Sequence, residues 1–227
     1  MVSLKLVIRV GGSVMASPPN PAMVKKYTEL LKDLRRDRHE VVAVVGGGSL
    51  AREFIRVAGE LGLSEAEQDW MAISVSRLHA SLFMMRLGEA GCGTVPVSVD
   101  EAVDCLRRGK IVVMGGLRPG MTTDAVAALV AERVKADLLV KATDQEGIFT
   151  KDPKKYPDAK KIDRVSFDEL SRLFEADKHR AGIHQILDSK AVKILLKSRI
   201  RMVVVNGFRP ENVLRAVRGE KVGTLIE

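Results

Sequence analysis

The stretch Gly115-Gly116-Leu117-Arg118-Pro119-Gly120-Met121-Thr122-Thr123-Asp124 follows the apolar run Ile111-Val112-Val113-Met114 and leads into Ala125-Val126-Ala127-Ala128-Leu129-Val130-Ala131. The run reads as a strand and the alanine-rich segment as a helix, so these ten residues are a strand-to-helix loop. Its three glycines let the backbone approach a ligand with no Cβ in the way. Thr122, Thr123 and Asp124 add two hydroxyls and a carboxylate at the helix start. Unpaired amides at such a start favour an anion. Taken alone, the loop is equally well a tight turn followed by a capped helix.

Moving outward, the same punctuation recurs. Leu4-Lys5-Leu6-Val7-Ile8-Arg9-Val10 reads as a buried strand and ends at Gly11-Gly12-Ser13; Val41-Val42-Ala43-Val44-Val45 is a second and ends at Gly46-Gly47-Gly48. Asn20-Pro21 offers an N-cap and a first-turn proline for a helix to about residue 38, with Val24, Leu30, Leu31 and Leu34 inward. Ser49 opens the next helix. Residues 64–88 are helical, as one helix or two, with Trp70, Ile73, Leu78, Leu82 and Met85 as core candidates.

Further along, Thr94-Val95-Pro96-Val97 is a candidate short strand, 100–108 a helix and 137–142 a strand. Helices are expected near 166–176, 186–198 and 210–218, with strands at Met202-Val203-Val204-Val205 and 222–226. This alternation requires an α/β fold with a parallel sheet and right-handed crossovers.

With 227 residues, the chain is large enough for a substantial core, and no low-complexity linker divides it. At 46% hydrophobic and 29% charged residues it has the composition of a soluble protein. Its apolar runs are too short to span a bilayer, and its first residues lack a signal-peptide pattern, so a cytoplasmic protein with no membrane partner is expected. Cys92 and Cys105 belong to no metal or redox motif and are expected as reduced thiols; His39, His79, His179 and His184 show no ligand spacing and are read as surface or packing residues.

The net charge is +8, and most of it lies in residues 151–227, which hold 18 Lys and Arg against 11 Asp and Glu. A basic lobe attracts polyanions. Aromatic residues are only 4% of the chain and none interleaves with a basic run, which argues against a nucleic-acid partner and leaves a nucleotide or a solvated surface.

In an open parallel sheet the carboxyl ends of the strands share one edge, so the loops at 11–12, 46–48 and 115–116 converge on one crevice. None is GxxxxGK[ST] or GxGxxG, so neither a P-loop NTPase nor a dinucleotide-binding dehydrogenase is supported. Phosphoryl transfer between two anions fits this inventory, because it consists largely of positioning and charge neutralisation.

Together with Arg9-Val10-Gly11-Gly12-Ser13, Val45-Gly46-Gly47-Gly48-Ser49-Leu50-Ala51-Arg52 and Thr143-Asp144-Gln145-Glu146-Gly147-Ile148-Phe149-Thr150-Lys151-Asp152-Pro153, the opening stretch resembles the motif series of the amino acid kinase family. The resemblance covers essentially the whole chain. It implies a single domain, residues 1–227, folded as a three-layer α/β/α sandwich around a mainly parallel sheet. The acceptor side would lie mainly in 1–135 and the ATP side mainly in 136–227. It further implies transfer of the ATP γ-phosphate to UMP, giving UDP, in a homo-oligomer, a hexamer, with Mg2+ held mainly by the ATP phosphates.

By the same resemblance, Arg9, Val10, Gly11, Gly12, Ser13, Gly48 and Arg52 face the ATP phosphates, and Thr143, Asp144, Phe149 and Asp152 hold its nucleoside end. Gly47, Asp69, Leu117, Arg118, Pro119, Gly120, Met121, Thr122 and Thr123 would bind UMP, with Asp69 on the ribose hydroxyls. Arg9, Arg52 and Lys193 would be catalytic. No residue is assigned as a metal ligand. Physical alternatives stand beside these roles: Arg52 pairing with Glu53 or Glu60, Asp69 in a cap or salt bridge, Lys193 as a surface lysine, and Asp124 as either a magnesium-positioning group or a helix cap. The chain departs from common family residues at Arg9, Leu117, Asp144, Glu146 and Phe149. A kinase of another small phosphate or carboxylate, or a non-catalytic anion-binding protein, are the other readings of the same motifs.

Overall fold

A computed structural model describes residues 2–15, 18–153, 155–176 and 187–227. In chain order the elements are β1 (Lys5–Val10), α1 (Gly12–Met15), α2 (Pro21–Arg36), β2 (Glu40–Val45), α3 (Gly48–Glu60), α4 (Glu65–Leu87), α5 (Val99–Arg107), β3 (Val112–Met114), α6 (Thr123–Val134) and β4 (Leu138–Thr143). There follow β5 (Ile148–Phe149), β6 (Lys161–Ile162), β7 (Arg164–Val165), α7 (Phe167–Ala176), α8 (Ser189–Ser198), β8 (Met202–Asn206), α9 (Glu211–Val217) and β9 (Thr224–Ile226).

Among these residues one seven-stranded sheet runs β3-β2-β1-β4-β8-β9-β7. Pairing is parallel from β3 through β8, and β9 is antiparallel to β8. The valine-rich runs form its middle because their residues are buried on both faces. On one face Val7, Val44, Met114 and Leu139 pack beneath α5, α6 and α8; on the other Ile8, Ala43, Val140 and Val205 pack beneath α2, α4 and α9. The result is the three-layer sandwich that the alternation implies.

Local chemistry sets several boundaries as expected. The Asn20 side chain accepts from the Ala22 and Met23 amides ahead of Pro21, and Val24, Leu30, Leu31 and Leu34 of α2 are buried. Residues 64–88 form one helix, opened by a Ser64–Glu67 capping box.

Three expectations are corrected. Of the apolar residues assigned to the core on α4, Ile73 is buried but Trp70, Leu78, Leu82 and Met85 are exposed, Met85 by 80%. The inward stripe is Ile73, Ser76, His79, Ala80, Phe83 and Leu87. Its small and polar residues let the helix lie against glycine loops, which bulky side chains would prevent. Residues 94–97 form no strand, and the pairing nearby is a single bridge between Gly91 and Ile111; Pro96 has no amide to donate. Cys92 and Cys105 are joined as a disulfide, their Cα atoms 5.6 Å apart. Cys92 lies beside Ile111 and Cys105 on α5, and the turn into β3 brings them together. His39 is buried and accepts the Leu4 amide, a packing role, whereas His179 and His184 lie outside the described residues. No helix among the described residues is long and apolar enough to cross a membrane.

Candidate active site

Strands β1, β2 and β3 step to one side of the sheet and β4 and β8 to the other, so the order reverses between β1 and β4. Such a reversal opens a crevice at the carboxyl ends of the strands. There the Gly11 amide donates to the Ala142 carbonyl (2.8 Å) and the Gly46 amide to Val10 (3.0 Å), pinning the first two glycine loops to the sheet edge. Gly12 and Gly48 touch through their backbones. Gly48 has φ +64°, and a Cβ there would stand 2.6 Å from the Gly12 carbonyl oxygen, so glycine is required on both counts.

Helix α4 joins the second loop to the third. Gly47 faces the Ala72 carbonyl, and the His79 Nδ1 donates to the Gly46 carbonyl (3.0 Å) in a fully buried contact. One residue earlier in the stripe, the Ser76 hydroxyl accepts from the Gly116 amide (2.8 Å). Arg77 donates to the carbonyls of Gly116 (2.9 Å) and Leu117 (3.0 Å), and the Asp69 carboxylate accepts from the Gly120 amide (2.6 Å). The third loop is therefore fastened along two turns of α4, and all three loops meet at one sheet edge.

Beneath them lies a cluster of charge. Arg9 of β1 and Lys141 of β4 are register partners on the same face of the sheet, and the first turn of α6 lowers Asp124 between them. Arg9 Nε approaches Asp124 Oδ1 to 2.6 Å, an ion pair whose N–H is not aligned as a hydrogen bond; Lys141 Nζ pairs with Oδ2. The far end of the guanidinium reaches the Thr123 hydroxyl (3.1 Å) and lies against Gly11 and Gly46. Burial alone raises the Asp124 carboxyl, but Arg9 and Lys141 together outweigh it and hold the group below the usual aspartate value. Burial lowers Lys141 and Arg9 lowers it further, while Asp124 and Asp188 oppose the shift without cancelling it. Asp124 thus serves as the anion between two cations. The cap of α6 is Thr122, whose hydroxyl accepts from the Ala125 amide and also bonds to Asp188.

The remaining sequence-assigned residues fall as follows. Val10 is buried, so its contribution is its backbone, and Ser13 is exposed in α1. Arg52 is exposed on α3 and makes no ion pair among the described residues; Glu60, one of the partners considered for it, pairs with Arg56. Leu117 and Met121 pack against the core, with Pro119 partly buried between them and Arg118 exposed. Thr143 and Asp144 stand at the end of β4, on the crevice side. Phe149 is half-buried in the β5–β6 hairpin, and Asp152 is buried, its carbonyl taking the Lys155 and Tyr156 amides. Lys193 is exposed on α8; one turn earlier, Lys190 Nζ donates to the Gly120 carbonyl and Asp188 caps the helix.

Ser76, Arg77, His79, Lys141 and Lys190 were not marked by the sequence reading. A charged residue inside the apolar run 138–142, and the 76-79-80-83 spacing on α4, were the signals for three of them, Lys141, Ser76 and His79. A cavity of about 560 Å3 lies near the starts of β4 and β8 and is lined by none of the glycine-loop residues. It belongs to the opposite edge of the sheet.

Backbone amides and a half-buried guanidinium gathered at a switch point, without a P-loop, place this protein among the phosphate-handling α/β proteins. The model of the amino acid kinase family matches residues 5–206, and the chain belongs to that family. Among curated proteins, the chain is 42% identical over 227 residues to the uridylate kinase of Methanocaldococcus jannaschii, covering 99% of this chain and 100% of that one. It is 39% identical over 223 residues to the uridylate kinase of Methanobrevibacter smithii, covering 98% and 99%. The crystal structure of uridylate kinase from Archaeoglobus fulgidus superposes with a TM-score of 0.87 at 38% identity, covering 99% of this chain and 100% of that one.

Proposed function

We propose that this protein transfers the γ-phosphate of ATP to UMP, giving ADP and UDP in pyrimidine nucleotide synthesis in the cytoplasm. The observation that carries the reading is the meeting of three glycine loops over Arg9 at the sheet switch point. Full-length similarity to uridylate kinases supports the choice of acceptor.

In this reading the acceptor loop, Leu117 to Thr123, together with Gly47 and Asp69, receives UMP, so residues 1–135 carry most of the acceptor side. Gly11, Gly12, Gly48 and Arg52 receive the ATP phosphates, and Thr143, Asp144, Phe149 and Asp152, within residues 136–227, hold its nucleoside. Arg9 stands between the two anions and neutralises charge that grows on the transferring group. Both Asp124 oxygens face cations, Oδ1 toward Arg9 and Oδ2 toward Lys141. In this reading Mg2+ is held mainly by the ATP phosphates and water, as suits an ion that keeps much of its hydration. When bound there it supplies further charge neutralisation.

Asp69 gives a direct test. Asp69→Asn weakens the contact to Gly120 and replaces the proposed ribose acceptor. The KM for UMP is expected to rise about 10-fold or more with the KM for ATP near its original value, as for loss of one hydrogen bond to a charged group. A change confined to ATP would mean that donor and acceptor sides are exchanged.

The homo-oligomer, a hexamer, is part of the same proposal. Phe54, Val57 and Leu61 on and just after α3, with Trp70, Leu78, Leu82 and Met85 on α4, are exposed on two helices that pack together, and an apolar face of this kind supports assembly. Analytical ultracentrifugation is expected to give a mass well above the 24.8 kDa of one chain. A monomer at micromolar concentration would reject the assembly.

A further inference from the structure

We infer that Lys141 is a positioning residue for phosphoryl transfer: by holding one oxygen of Asp124, it keeps the Arg9 guanidinium turned toward the gap between the glycine loops. The inference rests on the proposed function. Its basis is the way one carboxylate is shared. Lys141 Nζ takes Asp124 Oδ2, and only Oδ1 is left for Arg9, which meets it through Nε at 2.6 Å. The two terminal nitrogens of Arg9 are thereby left for other work. One reaches the Thr123 hydroxyl, and a Cβ on Gly11 or Gly46 would stand 3.0 Å or 3.6 Å from them. These are the positions from which a guanidinium can serve both loops.

A guanidinium and a free carboxylate prefer to join by two parallel N–H···O bonds. Without the Lys141 ammonium, both Asp124 oxygens are available for that fork. Arg9 would then turn its terminal nitrogens onto Asp124 and away from Thr123. Lys141 itself has little route to the substrate. Its side chain is 5% exposed against 16% for Arg9, and it is walled by Leu139, Leu187, Ala191, Leu195 and Met202, with a residual void of about 10 Å3. Among the described residues, the charged groups acting on its ammonium include Asp124 from α6, Arg9 from β1 and Asp188 from the start of α8. It acts through its neighbours.

The test is Lys141→Met, an unbranched neutral side chain of similar reach that leaves Asp124 paired with Arg9. Turnover with ATP, Mg2+ and UMP is expected to fall about 30-fold, the scale of losses when a supporting partner behind a reacting group is removed, with both KM values within about 3-fold of the parent. Adding Asp124→Asn to Lys141→Met is expected to cause no further loss, because both changes act on the same guanidinium. If Lys141→Met does not accumulate as folded protein, Lys141→Leu, which likewise leaves Asp124 Oδ2 without a donor from this position, is expected to show the same split between kcat and KM. Turnover within 3-fold of the parent, a loss carried by KM, or multiplying losses in the double variant would each overturn the inference. A parent that makes no UDP at all would instead reject the proposed function, so the two failures are distinct.

Discussion

Arg9→Met is expected to lower turnover about 1000-fold while the protein stays folded. The side chain lies where the first glycine loop, the second glycine loop and Thr123 approach one another, and it brings a permanent positive charge to that meeting point. Removing a preorganised donor from a developing oxyanion costs about 100- to 1000-fold, and a guanidinium on a transferring phosphoryl group stands at or above the upper end of that range. The fold tolerates the change because Asp124 keeps Lys141 as its partner, so no buried carboxylate is left alone. Arg9→Lys separates charge from shape. A single ammonium cannot meet Asp124 and Thr123 together as the fork does, and an intermediate loss of about 30-fold is expected. Steady-state kinetics with thermal melts of both variants check this, and full turnover in Arg9→Met would remove Arg9 from the reaction.

Arg52→Ala is the second large effect, and it isolates charge from packing. Arg52 follows the glycine run by one turn of α3, is exposed, and makes no ion pair among the described residues. Its truncation is expected to change stability by no more than about 0.5 kcal/mol, as for surface residues outside any network. Turnover is nevertheless expected to fall about 100-fold, equivalent to roughly 3 kcal/mol of transition-state stabilisation, because a guanidinium with free donors at an anion site is a phosphate ligand in waiting. The informative result is the pair of measurements: an unchanged melting temperature beside a large kinetic loss. Unchanged turnover would return Arg52 to the solvated surface of α3.

The layered fold was legible in the sequence because its signals are local. Valine-rich runs that stop at paired glycines define β1 and β2 without knowledge of the rest of the chain, and Asn20-Pro21 announces α2 by itself. The two-residue strands β5, β6 and β7 are too short to carry a periodicity, and their pairing comes from the tertiary structure. On α4 two apolar stripes coexist, and hydrophobicity pointed to the bulky one, whereas the loops needed the smoother stripe with Ser76, His79 and Ala80. The disulfide was missed for a related reason: Cys92 and Cys105 are brought together by the path of the chain into β3.

The site was legible where it is made of backbone and opaque where it is made of side-chain partnerships. The glycine loops announce themselves in order, and the contact of Asp69 with Gly120 joins two residues assigned to the same substrate. Asp124 stood between two local roles, metal positioning and capping. What decided its surroundings was the parallel register of Arg9 with Lys141, residues 132 positions apart. No local pattern encodes that register. A lysine inside the apolar run of β4 was the one visible trace of it.

The central claim is that this crevice moves a phosphoryl group from ATP to UMP. The direct measurement is incubation of the purified protein with γ-labelled ATP, Mg2+ and a panel of acceptors comprising UMP, CMP, dUMP, isopentenyl phosphate, an amino acid and carbamate. Label is expected to appear in UDP, with UMP turned over faster than any other acceptor. Nucleotide binding with no labelled product, or label transferred to another acceptor while UMP stays unmodified, would contradict the account.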